Sequence, residues 1–398
     1  MGGQVAEIDG FTASGFERVR DVFAANFATD GEVGAGVCVY LDGRPVVDLW
    51  GGIADQDSGR PWTSETLQLV YSVTKAATSA CAHLLVQRGQ LDLDAPVSSY
   101  WPEFAAEGKE RIPVRWLLSH RAGLPALDKP VPVADALAWD PVIEALARQR
   151  PFWEPGTRHG YHAQTFGFLV GEVVRRVSGR TIGRFFAEEI AEPNGIEFWI
   201  GLPAELESRV STLIELPAET LSPDADLSNL SPEMRDMIVA FTDPNSLSMK
   251  AFGLTEPSFD INSRAAHAAE LPASNGICTA RGIARFYAGL IGEVDGQPPI
   301  LAEDTLRTAL VEQSIGMDEI LKRPSRLALG FMLPIDGGIE LGGPTSFGHP
   351  GKGGALGFAD PRRGLTFGYA PNRMHTGVGG DFRSARLIDA VHECLPGR

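Results

Sequence analysis

Ser72-Val73-Thr74-Lys75 is the only S-x-x-K in the chain, and its spacing can bring an alcohol and an amine together. On a helix, residues three apart share a face with Cβ atoms about 5–6 Å apart, so the amine can fold back onto the hydroxyl. That pairs a nucleophile with a base. The amine accepts a proton only when neutral, which requires burial or nearby positive charge to bring its pKa down. The sequence predicts burial: from Ser72 to Gln87 the only formal charge is Lys75, and the face opposite the apolar stripe carries Thr78, Ser79 and His83. A serine at a helix N-terminus also points its own N–H outward, where it can hold an oxyanion. S-x-x-K alone is common enough by chance to carry little.

Other chemistries find less support. No serine has glycine two residues before it, so the G-x-S-x-G nucleophile elbow is absent. The eight histidines include no H-E-x-x-H, and His159 and His162 lack a carboxylate in ligand register, so no metal is expected. Gly351-Lys352-Gly353 fails as a phosphate loop, since Ser346 and Gly353 stand where glycine and Ser/Thr are needed.

The elements that must position these residues follow from periodicity. Residues 35–52 hold two Val-, Tyr- and Trp-containing runs joined at Asp42-Gly43-Arg44, predicting a β-hairpin. From about Val70 apolar and small residues recur with helical spacing through Leu85, and Gly89 predicts the end of that helix. The middle is mostly helical, including Phe166 to Val177 ending at Gly179. Residues 215–275, with six scattered prolines, read as irregular and as a candidate lid. A helix near Ala280–Leu290 precedes expected strands at Leu327–Leu333, Thr345–His349, Gly354–Ala359 and Leu365–Tyr369, and Asp381–Cys394 reads as a closing helix. Strands at both ends with helices between predict an α/β domain from residues 1–80 and 276–398, with a mainly helical domain of 81–275 inserted.

With 398 residues, 35 Lys+Arg against 51 Asp+Glu and a net charge of −16, the composition is that of a globular chain without a basic patch. Nucleic acid and anionic membrane are therefore not expected partners. No apolar run approaches the roughly 20 residues that span a bilayer, and the N-terminus has neither a basic start nor an apolar core, so a cytoplasmic location is expected. Cys38, Cys81, Cys278 and Cys394 form no C-x-x-C and read as reduced core thiols.

The stretch YSVTKAATSACAHLLVQRGQLDLDAPVSSYWPEF, followed by IPVRWLLSHRAGLP, resembles the nucleophile region of the serine β-lactamase-like superfamily, and within it most resembles the family VIII carboxylesterases. The resemblance extends to Gly160-Tyr161-His162-Ala163 and Phe347-Gly348-His349-Pro350-Gly351. It implies a class C β-lactamase-like fold, an antiparallel sheet flanked by helices, and no cofactor. Ser72 would then be the acyl acceptor, Lys75 its base and Tyr161 a proton-sharing partner. Such a tyrosine works near neutrality if cations stabilise its phenolate or it exchanges protons with Lys75. The amides of Ser72 and Lys352 would form the oxyanion hole, with His349 and Gly351 facing substrate. Pro350 requires an edge position in the sheet.

Two departures bear on substrate. Ala163 replaces the family's Tyr-x-Asn asparagine, for which Gln164 is a candidate substitute, and His349 replaces a lysine. Both weaken recognition of a lactam and leave ester recognition untouched. The expected activity is hydrolysis of small to medium carboxylic esters. An acyltransferase, a β-lactamase or D,D-peptidase and an amide hydrolase share the chemistry, and a non-catalytic binding protein is the alternative of another class. Trp153, Phe152, Phe252 and Phe259 are candidates for an acyl pocket. Oligomeric state is not read from the sequence.

Overall fold

In the computed structural model, which describes residues 6–215, 232–338, 341–375 and 381–395, one antiparallel sheet draws its strands from both ends of the chain. Its strands are β1 (Ile8–Thr12), β2 (Gly34–Leu41), β3 (Arg44–Asp55), β4 (Phe347–Pro350), β5 (Leu356–Asp360) and β6 (Leu365–Pro371). They lie in the order β1-β3-β2-β6-β5-β4, and Arg60–Pro61 pairs with the end of β3 as a seventh. The expected hairpin is β2–β3. Its two turn residues, Asp42 (φ 48°) and Gly43 (φ 75°), are both left-handed, the twist that two-residue hairpin loops require. Pro350 lies on the edge strand β4, as its missing N–H demands.

Alternation along the central strands divides the core between two faces. Val37 and Val39 of β2 with Leu365, Phe367 and Tyr369 of β6 meet α1 (Glu17–Thr29) through Val19, Val22 and Phe23. The closing helix joins that face through Leu387, Ile388 and Val391. Cys38 and Tyr40 face the other way, into the larger core. That core contains α2 (Thr74–Gln87), α3 (Thr165–Ser178) and α4 (Ala280–Ile291). Here the sheet is glycine-lined so that α4 can approach: a Cβ on Gly368 would stand 2.3 Å from the Ala280 carbonyl oxygen. The closing helix, α5 (Phe382–Cys394), starts one residue inside the expected span with Asp381 as its cap.

Several expectations are corrected. β1 and α1 carry no strong periodic signal and were not anticipated. The helix expected from about Val70, α2, begins at Thr74, because Tyr71 takes a left-handed conformation (φ 46°). The irregular stretch of 215–275 contains helices Pro232–Thr242, Leu247–Phe252 and Arg264–Ala268; its part from 216 to 231 lies outside the described residues. The strand expected at Leu327–Leu333 is instead Pro324–Leu327, since the chain turns at Gly330 (φ 86°). Cys394 is half-buried at the end of α5, whereas the other three thiols are in the core.

Candidate active site

α2 is buried on all sides from Thr74 to Leu85, as its lack of charge predicted. Ser72 occupies the turn just before it. The left-handed Tyr71 bends the chain there, a conformation that costs a bulky residue energy and is held by its surroundings. The Lys75 N–H donates to the Ser72 carbonyl at 3.0 Å, so the three-residue spacing still stacks the side chains. Lys75 Nζ lies 3.1 Å from Ser72 Oγ.

Lys75 is wholly buried, and burial holds its pKa well below the usual 10.5. Its amine also contacts the main-chain oxygens of Ala163 (2.8 Å) and Ala273 (2.9 Å). Carbonyls only accept. A neutral amine therefore spends both N–H bonds on them and turns its single lone pair toward the third neighbour, the Ser72 hydroxyl. This arrangement can remove the serine proton.

Tyr161 closes the other side of Ser72. Its ring centroid lies 4.7 Å from Lys75 Nζ. Burial pushes the phenol pKa up, with the nearby Ser72 hydroxyl opposing. Of the two routes by which a tyrosine can work near neutrality, burial disfavours the phenolate and leaves proton exchange with Lys75. His349 completes the polar chain. Its Nδ1 lies 2.7 Å from the Pro350 carbonyl and must carry the hydrogen, leaving Nε2 to accept from the Tyr161 hydroxyl at 3.5 Å. Burial, with Lys75 nearby, holds the His349 pKa down at about 3, so the ring is neutral.

Two residues that sequence reasoning did not single out fix Tyr161. His120, itself left-handed (φ 59°), accepts the Gly160 N–H on its carbonyl (3.1 Å) and the His162 N–H on Nδ1 (2.9 Å), bracketing the tyrosine. Asp318 accepts the N–H of Tyr161 itself at 3.0 Å. His120 lies within the SHRAGLP stretch that carried the resemblance, which was the available signal. Asp318 had none.

Gly351 brings the β4 end against the chain that leads to Ser72: a Cβ there would stand 2.3 Å from the Val70 carbonyl oxygen. The turn Lys352–Gly354 follows, with Gly353 (φ 85°) and Gly354 (φ 118°) in conformations that favour glycine. Buried Arg383 supports this turn from α5. Its guanidinium reaches the Gly353 carbonyl (3.4 Å) while paired with Glu32 (2.9 Å) and Asp381. Of the candidate acyl-pocket aromatics, Phe252 lies 6.2 Å from the Tyr161 ring and Trp153 packs edge-on against His162. Phe259 packs on the larger core, and Phe152 is half-buried with its N–H on the Gly123 carbonyl. Gln164, the candidate substitute for the missing asparagine, has its side-chain oxygen taken by Ser274 Oγ at 2.9 Å.

The model of the family described as Beta-lactamase matches residues 19–392, across both α2 and the turn after β4. The chain belongs to the β-lactamase family. Within that family it is similar to a family VIII carboxylesterase of known structure, 40% identical with a TM-score of 0.86, over 98% of this chain and 100% of that one. It is also similar to the structure of EstA from Arthrobacter nitroguajacolicus Rue61a, 34% identical with a TM-score of 0.84, over 96% and 97% of the two chains. Among curated proteins, "Esterase/beta-lactamase LipL" of Mycobacterium tuberculosis (strain ATCC 25618 / H37Rv) is 34% identical over 355 residues, 86% of this chain and 77% of the relative. The fold is class C β-lactamase-like, as expected.

Proposed function

We propose that this β-lactamase-family chain is a serine esterase that hydrolyses carboxylic esters through an acyl-enzyme on Ser72. The observation that carries the reading is the wholly buried Lys75 amine, its pKa lowered by burial, with two carbonyl acceptors and Ser72 Oγ in the third direction. Ser72 Oγ attacks the ester carbonyl as its proton passes to Lys75, and the carbonyl π electrons move onto oxygen. The amides of Ser72 and Lys352 receive that oxyanion. Collapse breaks the C–O bond, and the departing alkoxide takes a proton from Tyr161, which recovers it from the Lys75 ammonium beside it. Water, deprotonated by the same pair, then attacks the acyl carbon; the adduct collapses with the acyl C–Oγ bond breaking, and Ser72 Oγ takes the proton back as the acid leaves.

The ester preference is supported by the carboxylesterase and EstA likenesses and by two features of the site. Ala163 presents no side-chain amide to a lactam, and His349 is uncharged and turned toward Tyr161. The small-molecule substrate enters between the sheet-bearing part, 1–80 with 276–398, and the helical part, 81–275; this division is likewise our proposal. Incubation with p-nitrophenyl esters and nitrocefin, with and without a second alcohol, tests the reading. Ester turnover well above nitrocefin turnover is expected. Preference for nitrocefin would make it a β-lactamase, and ester formation with the added alcohol an acyltransferase.

A further inference from the structure

The two carbonyls that grip Lys75 belong to segments 110 residues apart in the chain, and one side-chain bond joins them. Ala163 O comes from the loop before α3, and Ala273 O from the stretch before Ile277–Cys278. The residues immediately after them, Gln164 and Ser274, meet directly: Ser274 Oγ donates to Gln164 Oε1 at 2.9 Å. We infer that this Gln164–Ser274 clasp is a positioning device that keeps the Ala163 and Ala273 carbonyls closed on Lys75, so that the amine stays dry with its lone pair on Ser72. The inference rests on the esterase reading for its role in catalysis.

The surroundings show why this bond has that task. The 272–276 stretch is tied to α2 by Thr78 Oγ1 donating to the Pro272 carbonyl (2.6 Å) and by the Gly276 N–H donating to Thr74 Oγ1 (2.8 Å). Asn275 fixes it to its own neighbourhood through the carbonyls of Ala266 (2.9 Å) and Ala269 (2.6 Å). Toward α3 it has close packing, a Cβ on Gly167 standing 2.5 Å from the Ala273 nitrogen, and the clasp is the side-chain hydrogen bond across that seam. Ser274 is buried while Gln164 is half-buried, so the clasp lies where water would enter.

Lys75 carries the only formal charge on its own helix between Ser72 and Gln87. The titratable groups facing it are Tyr161 and His162 from the loop before α3, His120, and His349 from β4; the 272–276 stretch contributes none. The histidines are buried and held below their ordinary pKa, so their titration lies on the acid side. Opening the clasp admits water, favours the ammonium form of Lys75 and moves its deprotonation to higher pH.

The test compares wild type, Ser274→Ala, Gln164→Ala, the double variant and Ser274→Thr. One measurement is the acid limb of kcat/KM for p-nitrophenyl butyrate. The other is the Lys75 titration by NMR of Cε-labelled lysine, assigned with Lys75→Arg. Loss of one neutral hydrogen bond is expected to raise both by about 0.5–1 pH unit. The double variant should shift no further than either single, since both remove one bond, and Ser274→Thr should restore the wild-type profile. An unchanged Lys75 titration in both alanine variants overturns the clasp, whatever the activity. A wild type without ester turnover and without reaction at Ser72 overturns the esterase reading instead, and the NMR titration still decides the clasp.

Discussion

Lys75 and Lys109 are both wholly buried, both gripped by two main-chain carbonyls and both set against an aromatic ring, yet only Lys75 meets a side-chain hydroxyl. Lys109 Nζ donates to the carbonyls of Ala147 (3.1 Å) and Gln149 (2.7 Å) and lies 5.4 Å from the Phe104 ring centroid. Those carbonyls end the helix Asp140–Arg148, so Lys109 serves as a cap there. Burial lowers its pKa to about 8, with Glu107 opposing. The difference lies in the third direction of the amine, where Lys75 meets Ser72 Oγ at 3.1 Å. A buried lysine without a carboxylate is therefore no sign of catalysis by itself; the group its lone pair faces decides.

The largest expected effect breaks this comparison at Lys75. Lys75→Met should lower kcat for p-nitrophenyl butyrate by about 10²–10⁴-fold with circular dichroism unchanged, the scale of lost general-base assistance. Lys75→Arg should do the same, because guanidinium does not deprotonate in the working range. Next comes Tyr161→Phe, for which a loss on the order of 100-fold in kcat is expected. A rate near wild type would reduce that hydroxyl to a packing group.

Lys109→Met sharpens the contrast from the other side. It should leave kcat and KM where they are while lowering stability by about 1–3 kcal/mol, because the Ala147 and Gln149 carbonyls lose their donor. The pH dependence has a definite sign. Between about 8 and 10.5 the unfolded chain holds a Lys109 proton that the folded chain has released, so stability gains from Lys109 as pH rises across that window. Urea unfolding at several pH values should show a smaller gain in Lys109→Met than in wild type, the remainder coming from Lys75, whose pKa burial also lowers. The smallest effect is expected for His349→Phe, which removes one acceptor from the Tyr161 hydroxyl and should cost about 2- to 13-fold in kcat.

What could be read from the sequence was whatever has a local period or a short motif. The β2–β3 hairpin announced itself by alternation and Asp42-Gly43, α2 and α3 by apolar spacing ending at Gly89 and Gly179, and the contact of Ser72 with Lys75 by S-x-x-K. Tyr161 was found because the resemblance reached it, and the structure sets its hydroxyl beside Ser72. The supports of these groups stayed hidden because they act across long stretches of chain. His120 reaches over 42 residues to His162, Asp318 over 157 to Tyr161 and Arg383 over 351 to Glu32. None of these bonds has a spacing that a single sequence displays. The helices after Pro232 were missed for another reason: much of the first one is exposed, Met234 and Val239 included, so no clean apolar stripe marks it.

The account turns on Ser72 being the acyl acceptor with neutral Lys75 as its base. The most direct measurement is the rate and site of reaction with an aryl phosphonate ester, followed by peptide mass spectrometry across pH, in wild type and Lys75→Met. The account predicts a single adduct on Ser72, formed faster as pH rises through a limb well below the ordinary lysine value of 10.5, and formed at least about 100-fold more slowly throughout in Lys75→Met. An adduct on another residue, or a Ser72 that reacts as fast in Lys75→Met as in wild type, would contradict it.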